Sequence, residues 1–427
     1  MQAEDPFEIL ATLQRLPPVR KYIIALSGGL DSVALIHSLS QLQDQLPQSL
    51  LAVHIHHGLM ADADLWTRQC ESFCQKFKIP LEIVKVTVDR HGKSLEAAAR
   101  QARYAALQKY VQADTALLTA HHQDDQAETI LLHLIKGAGS AGLAGMPVSK
   151  PFGRGWHFRP LLSVSRKILR EYVLQQKLSF IEDPSNLDTQ HERNYLRHKI
   201  IPELKTRWPE AVSGMARSAQ HQSDNLRLSK DLAEQDLKQI AEPDGALFIP
   251  RLKTLTEQRQ KNCLRYWLRY LGGEDINPTA NQLDSLMEEL IDSSWDAEPE
   301  LLLGKKIIHR YRDRLYQLPR QESFINEKEY EWLLNQPFKI PALGIYLEPW
   351  SLLAQHQNLS EKDKLVVRFR RGGEKIYSPE KKQHRQLKKL LQEWGVPPWR
   401  RSQIPLLYLG EELLIVWGYV SINQTNS

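Results

Sequence analysis

Cysteine is scarce: Cys70, Cys74 and Cys263 are the only three in 427 residues. Three thiols cannot build a disulfide framework, and so few of them point to a reducing compartment, so the expected location is cytoplasmic. Uninterrupted apolar runs are short, and none approaches the roughly 18 residues a membrane span needs. The opening stretch MQAEDPFEILATLQRLPPVR has no basic segment followed by an apolar core, so no secretory leader is expected. Internal repeats and low-complexity tracts are also missing. What is present is 42% hydrophobic and 25% charged, which excludes intrinsic disorder. The length suits two or three domains.

Positive charge is unevenly placed. The formal net charge is +5, yet residues 365–401 hold 11 Lys/Arg against 3 Asp/Glu, so the rest of the chain is net negative. A local basic patch fits a polyanionic partner, and it also fits a solvated helix face. Arg368, Arg370 and Arg371 alternate like a strand edge before a Gly-Gly turn. Lys381, Lys382, Arg385, Lys388 and Lys389 recur at spacings of three and four, which predicts one helix face. Arg400 and Arg401 follow Trp399. Such clusters would neutralise phosphates and hold a long RNA without reading its sequence. Trp394 and Trp399 are expected in a core rather than stacked on bases.

The first half alternates short apolar runs with helical periodicity. Strands are predicted at 22–26 (YIIAL), 50–57 (LLAVHIHH), 81–88 (LEIVKVTV) and 115–120 (TALLTA). Helices are predicted between and after them, over 32–42, 61–78, 94–111 and 123–136. This order predicts an α/β fold, a doubly wound and mostly parallel sheet covered on both faces. Ligands of such sheets bind at the carboxyl ends of the strands. Residues 136–160 are glycine-rich and read as a loop, and a further helix is predicted over 164–177. A helical unit follows from 211 to about 300, interrupted at 243–250, then an alternating stretch at 307–318. The expected partition is 1–210 for catalysis, 211–318 helical, and 319–427 a small basic α/β domain.

The strongest motif is Ser27-Gly28-Gly29-Leu30-Asp31-Ser32, directly after a predicted strand and opening a helix. Glycines let a backbone approach phosphates, and helix N-terminal N–H groups favour anions. Ser27 and Ser32 can donate hydrogen bonds. Asp31 beside a phosphate needs a mediating cation such as Mg²⁺, or else it caps the helix. Gly92-Lys93-Ser94 imitates the end of a Walker loop, but Thr87 stands where the first glycine is required, so Ser94 reads better as a cap. Asp124, Asp125 and Glu128 fall on the first turns of the helix after TALLTA, at i,i+3 and i,i+4 spacings that share a face. Capping and the helix dipole account for some of these acids, but three of them beside His121 and His122 exceed that need. Cys70 and Cys74 are one residue too far apart for CxxC, so His54, His56, His57, His121 and His122 do not form a zinc pattern. Histidines near phosphates more plainly stabilise developing charge.

These motifs together resemble the tRNA(Ile)-lysidine synthase family of N-type ATP pyrophosphatases, the PP-loop superfamily. The resemblance rests on SGGLDS, His54-Ile55-His56-His57-Gly58-Leu59, Glu96-Ala97-Ala98-Ala99-Arg100 with Arg103-Tyr104, and Thr119 to Thr129 (TAHHQDDQAET). It continues through Gly137-Ala138-Gly139, Arg159-Pro160-Leu161-Leu162, and Asp183-Pro184-Ser185-Asn186 with Arg193-Asn194. It is dense from about 20 to 202 and looser through PPWRRSQIPLLYLGEELLIV. Met60 departs from it, since arginine is expected after HHGL.

The resemblance implies an adenine nucleotide alpha-hydrolase-like sheet and a ligase. ATP would activate the C2 oxygen of the wobble cytidine in tRNA(Ile) with a CAU anticodon, and free L-lysine would then displace AMP. It implies ATP contacts at Ser27, Gly28, Gly29, Leu30, Asp31, Ser32, His54, His57 and Arg100, with Mg²⁺ on Asp31. Asp31, His122 and Asp125 are expected to be catalytic, and Asp124 and Glu128 to bind lysine. Lysine's pKa near 10.4 leaves only about one molecule in a few thousand neutral at pH 7, so its proton must be managed. Arg103, Arg193 and the basic residues at 368–401 are expected to hold tRNA, the C-terminal unit taking its acceptor side. A tRNA thiolase is the alternative within the superfamily, and a non-catalytic RNA-binding factor is the alternative outside it.

Overall fold

Alternating apolar residues send side chains to both faces of one sheet. Ile24, Ala52 and Leu118 join one buried cluster, while Ile23, Leu51, Val53 and Leu117 join another on the opposite face. The structure is a computed structural model. It describes all residues except 1–4, 47–48, 59–61, 90–91, 93–94, 271–275, 277, 295–298, 321–327, 341–344, 356–358, 379–382 and 422–427. The chain divides into two units, Met1–Asp231 and Leu232–Ser427. Among the described residues no helix is long and apolar enough to cross a membrane.

The first unit holds strands β1 (Lys21–Ala25), β2 (Ser49–His56), β3 (Leu81–Lys85), β4 (Thr115–Leu118), β5 (Ser149–Phe152) and β6 (Gly155–Phe158). Its helices are α1 (Ile9–Gln14), α2 (Leu30–Gln41), α3 (Ala63–Phe77), α4 (Leu95–Gln108), α5 (Gln123–Ile135), α6 (Ser140–Leu143), α7 (Arg166–Gln175), α8 (Glu192–Tyr195) and α9 (Ile201–Arg207). A π-turn, Leu196–Ile200, joins α8 to α9, and α10 (Ala211–Ile240) runs across the border of the units. The strand order is β3-β2-β1-β4-β6-β5. All neighbours are parallel except β5, which runs against β6. From β1 the chain goes to β2 on one side and β4 lies on the other. The carboxyl ends of β1 and β4 therefore flank the switch point where doubly wound sheets bind ligands.

Residues 136–160 are a correction. They fold into α6 and the β5–β6 hairpin, and β6 extends the parallel sheet beside β4. The turn needs Gly153 at φ +59°, and a Cβ on Gly155 would lie 2.2 Å from the Thr115 carbonyl oxygen. Glycine here serves close strand approach, not loop freedom.

The second unit is richer in strands than its helical periodicity suggests. A four-stranded antiparallel sheet contains β7 (Leu247–Phe248), β8 (Glu300–Leu303), β9 (Lys306–Tyr311) and β10 (Arg314–Pro319), packed with α11 (Ile249–Leu252), α12 (Glu257–Tyr270) and α13 (Ala280–Ser285). The stretch 307–318 is thus a hairpin, turning at Arg312 with φ +54°. Further on come β11 (Tyr330–Leu333), β12 (Phe338–Ile340), β13 (Ile345–Leu347), β14 (Lys364–Arg368), β15 (Lys375–Ser378), β16 (Gln383–Gln386), β17 (Leu406–Leu409), β18 (Glu412–Val416) and β19 (Val420–Ser421). Helices α14 (Pro349–Gln355), α15 (Leu387–Glu393) and α16 (Pro398–Arg401) lie among them.

The single basic helix face over 381–389 is also corrected. Arg385 sits on β16, while Lys388 and Lys389 sit on α15; Lys381 and Lys382 lie outside the described residues. Leu387, Leu390 and Leu391 are buried, so the core sets where the helix begins. Trp399 stacks on His309 at 4.6 Å between Tyr311 and Tyr316, a core role as expected.

Candidate active site

The loop after β1 has the shape its glycines require. Gly28 takes φ +82°, and a Cβ there would lie 2.2 Å from Ile181 Cδ1 and 3.1 Å from Cys70 Sγ. The Ile181 N–H donates to the Gly28 carbonyl at 2.9 Å, fixing the loop from outside. Ser32 Oγ donates to the Gly29 carbonyl at 2.9 Å and lies 3.1 Å from Ser27 Oγ. Gly29 is the N-cap of α2 and no side chain caps it, so its first N–H groups are kept for another acceptor. Leu30 is buried and anchors the turn. His54 holds the loop from below: its Nδ1 lies 2.9 Å from the Leu26 carbonyl, and burial lowers its pKa. His57 is half-buried, its Nδ1 has no partner among the described residues, and burial and then Arg103 lower its pKa.

Asp31 opens α2 and meets the second half of the site. Its Oδ2 lies 3.5 Å from His122 Nε2, while its Oδ1 is buried with no hydrogen-bond partner among the described residues. Burial pulls this carboxyl up, but His122, Arg166 and Arg197 outweigh it and hold Asp31 below its usual range.

His122 is the N-cap of α5, in a reciprocal capping box. Its Nδ1 accepts from the Asp125 N–H at 3.3 Å, and Asp125 Oδ2 accepts from the His122 N–H at 3.1 Å. An accepting Nδ1 leaves the proton on Nε2, which faces Asp31 and Asp125 Oδ2 at 3.5 and 3.4 Å. Burial disfavours the cation, but the carboxylates prevail and raise the pKa of His122. The imidazole can therefore take a second proton by giving up its cap.

The acids of α5 already hold this chain's own cations. Glu128, fully buried, accepts from Arg197 Nε at 2.6 Å and from its NH2 at 3.1 Å. The same guanidinium reaches Asp125 Oδ1 at 2.9 Å. Burial keeps Glu128 above the usual carboxylate value even with Arg197 against it. Asp124 Oδ1 accepts from Lys205 Nζ, and Oδ2 from the Arg166 N–H, both at 2.9 Å. Burial raises its pKa, but these partners prevail and lower it. A lysine ammonium would have to displace Lys205 or Arg197 to reach Asp124 or Glu128. Arg193 donates to Thr129 Oγ1 at 3.0 Å and so clamps α5.

Sequence reading missed Arg197, Lys205 and Arg166. The one available signal was the i,i+4 spacing of Arg193 and Arg197 on a helical stretch. The structure does bring Asp31, His122, Asp125 and Glu128 together, and it sets Arg100 and Arg103 on α4 against Tyr104, at 5.1 and 5.4 Å from the ring.

In the second unit the expected RNA-binding arginines have acidic neighbours. Arg368 and Arg371 pair with Glu329 at 3.2 and 3.1 Å, Arg370 with Glu374 at 3.7 Å, and Arg400 with Asp244 at 3.3 Å. Arg401 donates to the Val396 carbonyl at 2.9 Å. Lys388 and Lys389 are exposed.

A PP-loop domain model matches residues 5–204, a TilS substrate binding domain model 247–316, and a TilS substrate C-terminal domain model 365–426. The tRNA(Ile)-lysidine synthase of Coxiella burnetii (strain RSA 493 / Nine Mile phase I) is 38% identical over 416 residues, covering 97% of this chain and 92% of that protein. The tRNA(Ile)-lysidine synthase of Serratia proteamaculans (strain 568) is 40% identical over 402 residues, covering 93% and 91%. Among solved structures, the U34-tRNA thiolase NcsA from Methanococcus maripaludis aligns with a TM-score of 0.43 at 19% identity, covering 51% of this chain and 77% of that one.

Proposed function

Since this chain belongs to the tRNA(Ile)-lysidine synthase family, we propose that it ligates free L-lysine to C2 of the wobble cytidine in tRNA(Ile) with a CAU anticodon, using ATP. The observation that carries this reading is the meeting of Asp31 on the phosphate loop with His122 and Asp125 at the head of α5. ATP phosphates lie on the uncapped N–H groups of α2, with Ser27 and Ser32 beside them. The cytidine C2 oxygen attacks the α-phosphorus, and the bond to the β-phosphate breaks to release pyrophosphate. The lysine amine then attacks C2, the C2–oxygen bond breaks, and AMP leaves.

His122 sits between the carboxylates and donates from Nε2 to charge developing on phosphate. Asp125 is the neighbouring base that takes the ammonium's proton. Mg²⁺ fits Asp31, whose buried Oδ1 lacks a partner among the described residues; when bound it would neutralise phosphate charge. Among the described residues no group of three or more His, Cys, Asp or Glu could hold a metal, so the remaining ligands would be phosphates and water.

In this reading residues 1–210 carry catalysis, 211–318 support substrate binding, and 319–427 hold tRNA, all in the cytoplasm. Thiolation is disfavoured by the cysteines. Cys70 and Cys74 are buried, and burial pushes their thiols up to about 12 and about 11, far from the thiolate that sulfur transfer needs. Replacing Asp31 by Asn tests the reading. AMP formation from ATP and tRNA should be lost while the circular dichroism spectrum stays unchanged, and unaltered AMP formation would remove Asp31 from the mechanism.

A further inference from the structure

A second polar cluster lies beside α5, at the carboxyl edge of β4 and β6. Arg159 follows β6 and is 4% exposed. Its NH1 donates to the Pro147 carbonyl at 2.7 Å, its NH2 lies 3.2 Å from His157 Nδ1, and its Nε is buried with no partner among the described residues. Lys150 stands directly opposite His157 in the β5–β6 register. No carboxylate among the described residues pairs with Arg159 or Lys150. A buried guanidinium without a counter-charge is costly, which calls for an anion that the described residues do not supply.

The hydrogen bonds here have only one direction. Arginine can only donate, so His157 Nδ1 accepts and the proton of His157 sits on Nε2. That N–H donates to Thr119 Oγ1 at 2.8 Å, and the Thr119 hydroxyl therefore gives its proton to His121 Nδ1 at 2.7 Å. His121 is left with a donor at Nε2. Burial, helped by Arg159, keeps both rings neutral, with His121 pushed down to about 3 and His157 to about 2. The unspent groups of Arg159, Lys150 and His121 are thus all donors. One residue along the chain, His122 opens the carboxylate centre of Asp31 and Asp125. A donor cluster next to an acceptor cluster matches a zwitterion.

We propose that Lys150, Arg159 and His121 form the subsite for the α-carboxylate of the amino-acid substrate. This rests on the lysine-ligation reading. ATP has an N–H cradle on α2, and the amine brings a second anion, which this cluster of donors, with Arg100 adding positive charge beside it, is suited to accommodate. Arg159 is too deeply buried to suit a polymer backbone, whereas a single carboxylate is small enough to approach it.

The test compares lysine with lysinamide, which keeps both amines and lacks the carboxylate, using the full chain, ATP and an unmodified tRNA(Ile) transcript. The wild type should favour lysine by about tenfold or more in kcat/KM. Arg159→Met should raise the KM for lysine by about tenfold and change that for lysinamide by less than about twofold. Lys150→Met, on an exposed strand position, should act in the same direction even if Arg159→Met does not fold. Equal use of both amines by the wild type would overturn the subsite while leaving ligation intact. Variants that alter only the KM for tRNA would reassign the cluster to an RNA phosphate and overturn it as well. A wild type that attaches no lysine at all would defeat the ligation reading beneath it.

Discussion

His121 and His157 are neutral because they are buried beside cations, and this has a consequence for stability. Their ordinary value is near 6.5, and in the folded chain it falls to about 3 and about 2. Between those limits the unfolded chain binds protons that the folded chain refuses, so stability rises with pH. Their contribution is complete above about pH 6.5 and is lost on acidification towards about pH 3. The urea midpoint should therefore fall from pH 7 to pH 5, and His157→Gln should flatten that slope. An unchanged slope would mean that His157 is not buried neutral. At this scale Asp31, His122 and the acids of α5 were legible, because chemistry-bearing residue types stood at strand ends. Arg159 and Lys150 were not. Their meaning lies in the absence of a carboxylate partner among the described residues, which only folding reveals.

Among the elements, the π-turn at Leu196–Ile200 has the sharpest energetic role. It carries the guanidinium that satisfies both oxygens of fully buried Glu128. Arg197→Met leaves that carboxylate buried and unpaired, and should cost about 3–5 kcal/mol in chemical denaturation. Adding Glu128→Gln should recover much of the loss, and strict additivity of the two changes would mean the pair is not coupled. Helices α2 to α5 were legible from their period, to within a few residues. The β5–β6 hairpin was not, since KPFGRGWHF has no alternation and its glycines imitate a loop. The π-turn leaves no mark in composition either, because tertiary partners create it.

For the whole molecule, the count of basic residues overstates the surface open to RNA. Arg371 and Arg400 already face carboxylates in exposed pairs, which are worth little and can exchange for phosphate, whereas Arg368 and Arg370 sit against Glu329 and Glu374 largely out of water. Lysines are the better probe. Replacing Lys381, Lys382, Lys388 and Lys389 by Ala should weaken tRNA binding and lower its salt slope by up to ~3–4. An unaltered slope would place the RNA elsewhere. The α/β architecture was legible at this scale because strand and helix periods alternate cleanly through the first unit. The strand content after residue 300 was harder to read, since its strands are short and belong to several small antiparallel sheets.

The most direct measurement combines ATP, radiolabelled lysine and an unmodified tRNA(Ile) transcript with the full chain, following AMP and label on the tRNA together. The account predicts AMP formation that depends on the tRNA, with label retained on the tRNA in equal amount and with no other amino acid replacing lysine. AMP without retained label, or no AMP under any condition, would contradict it.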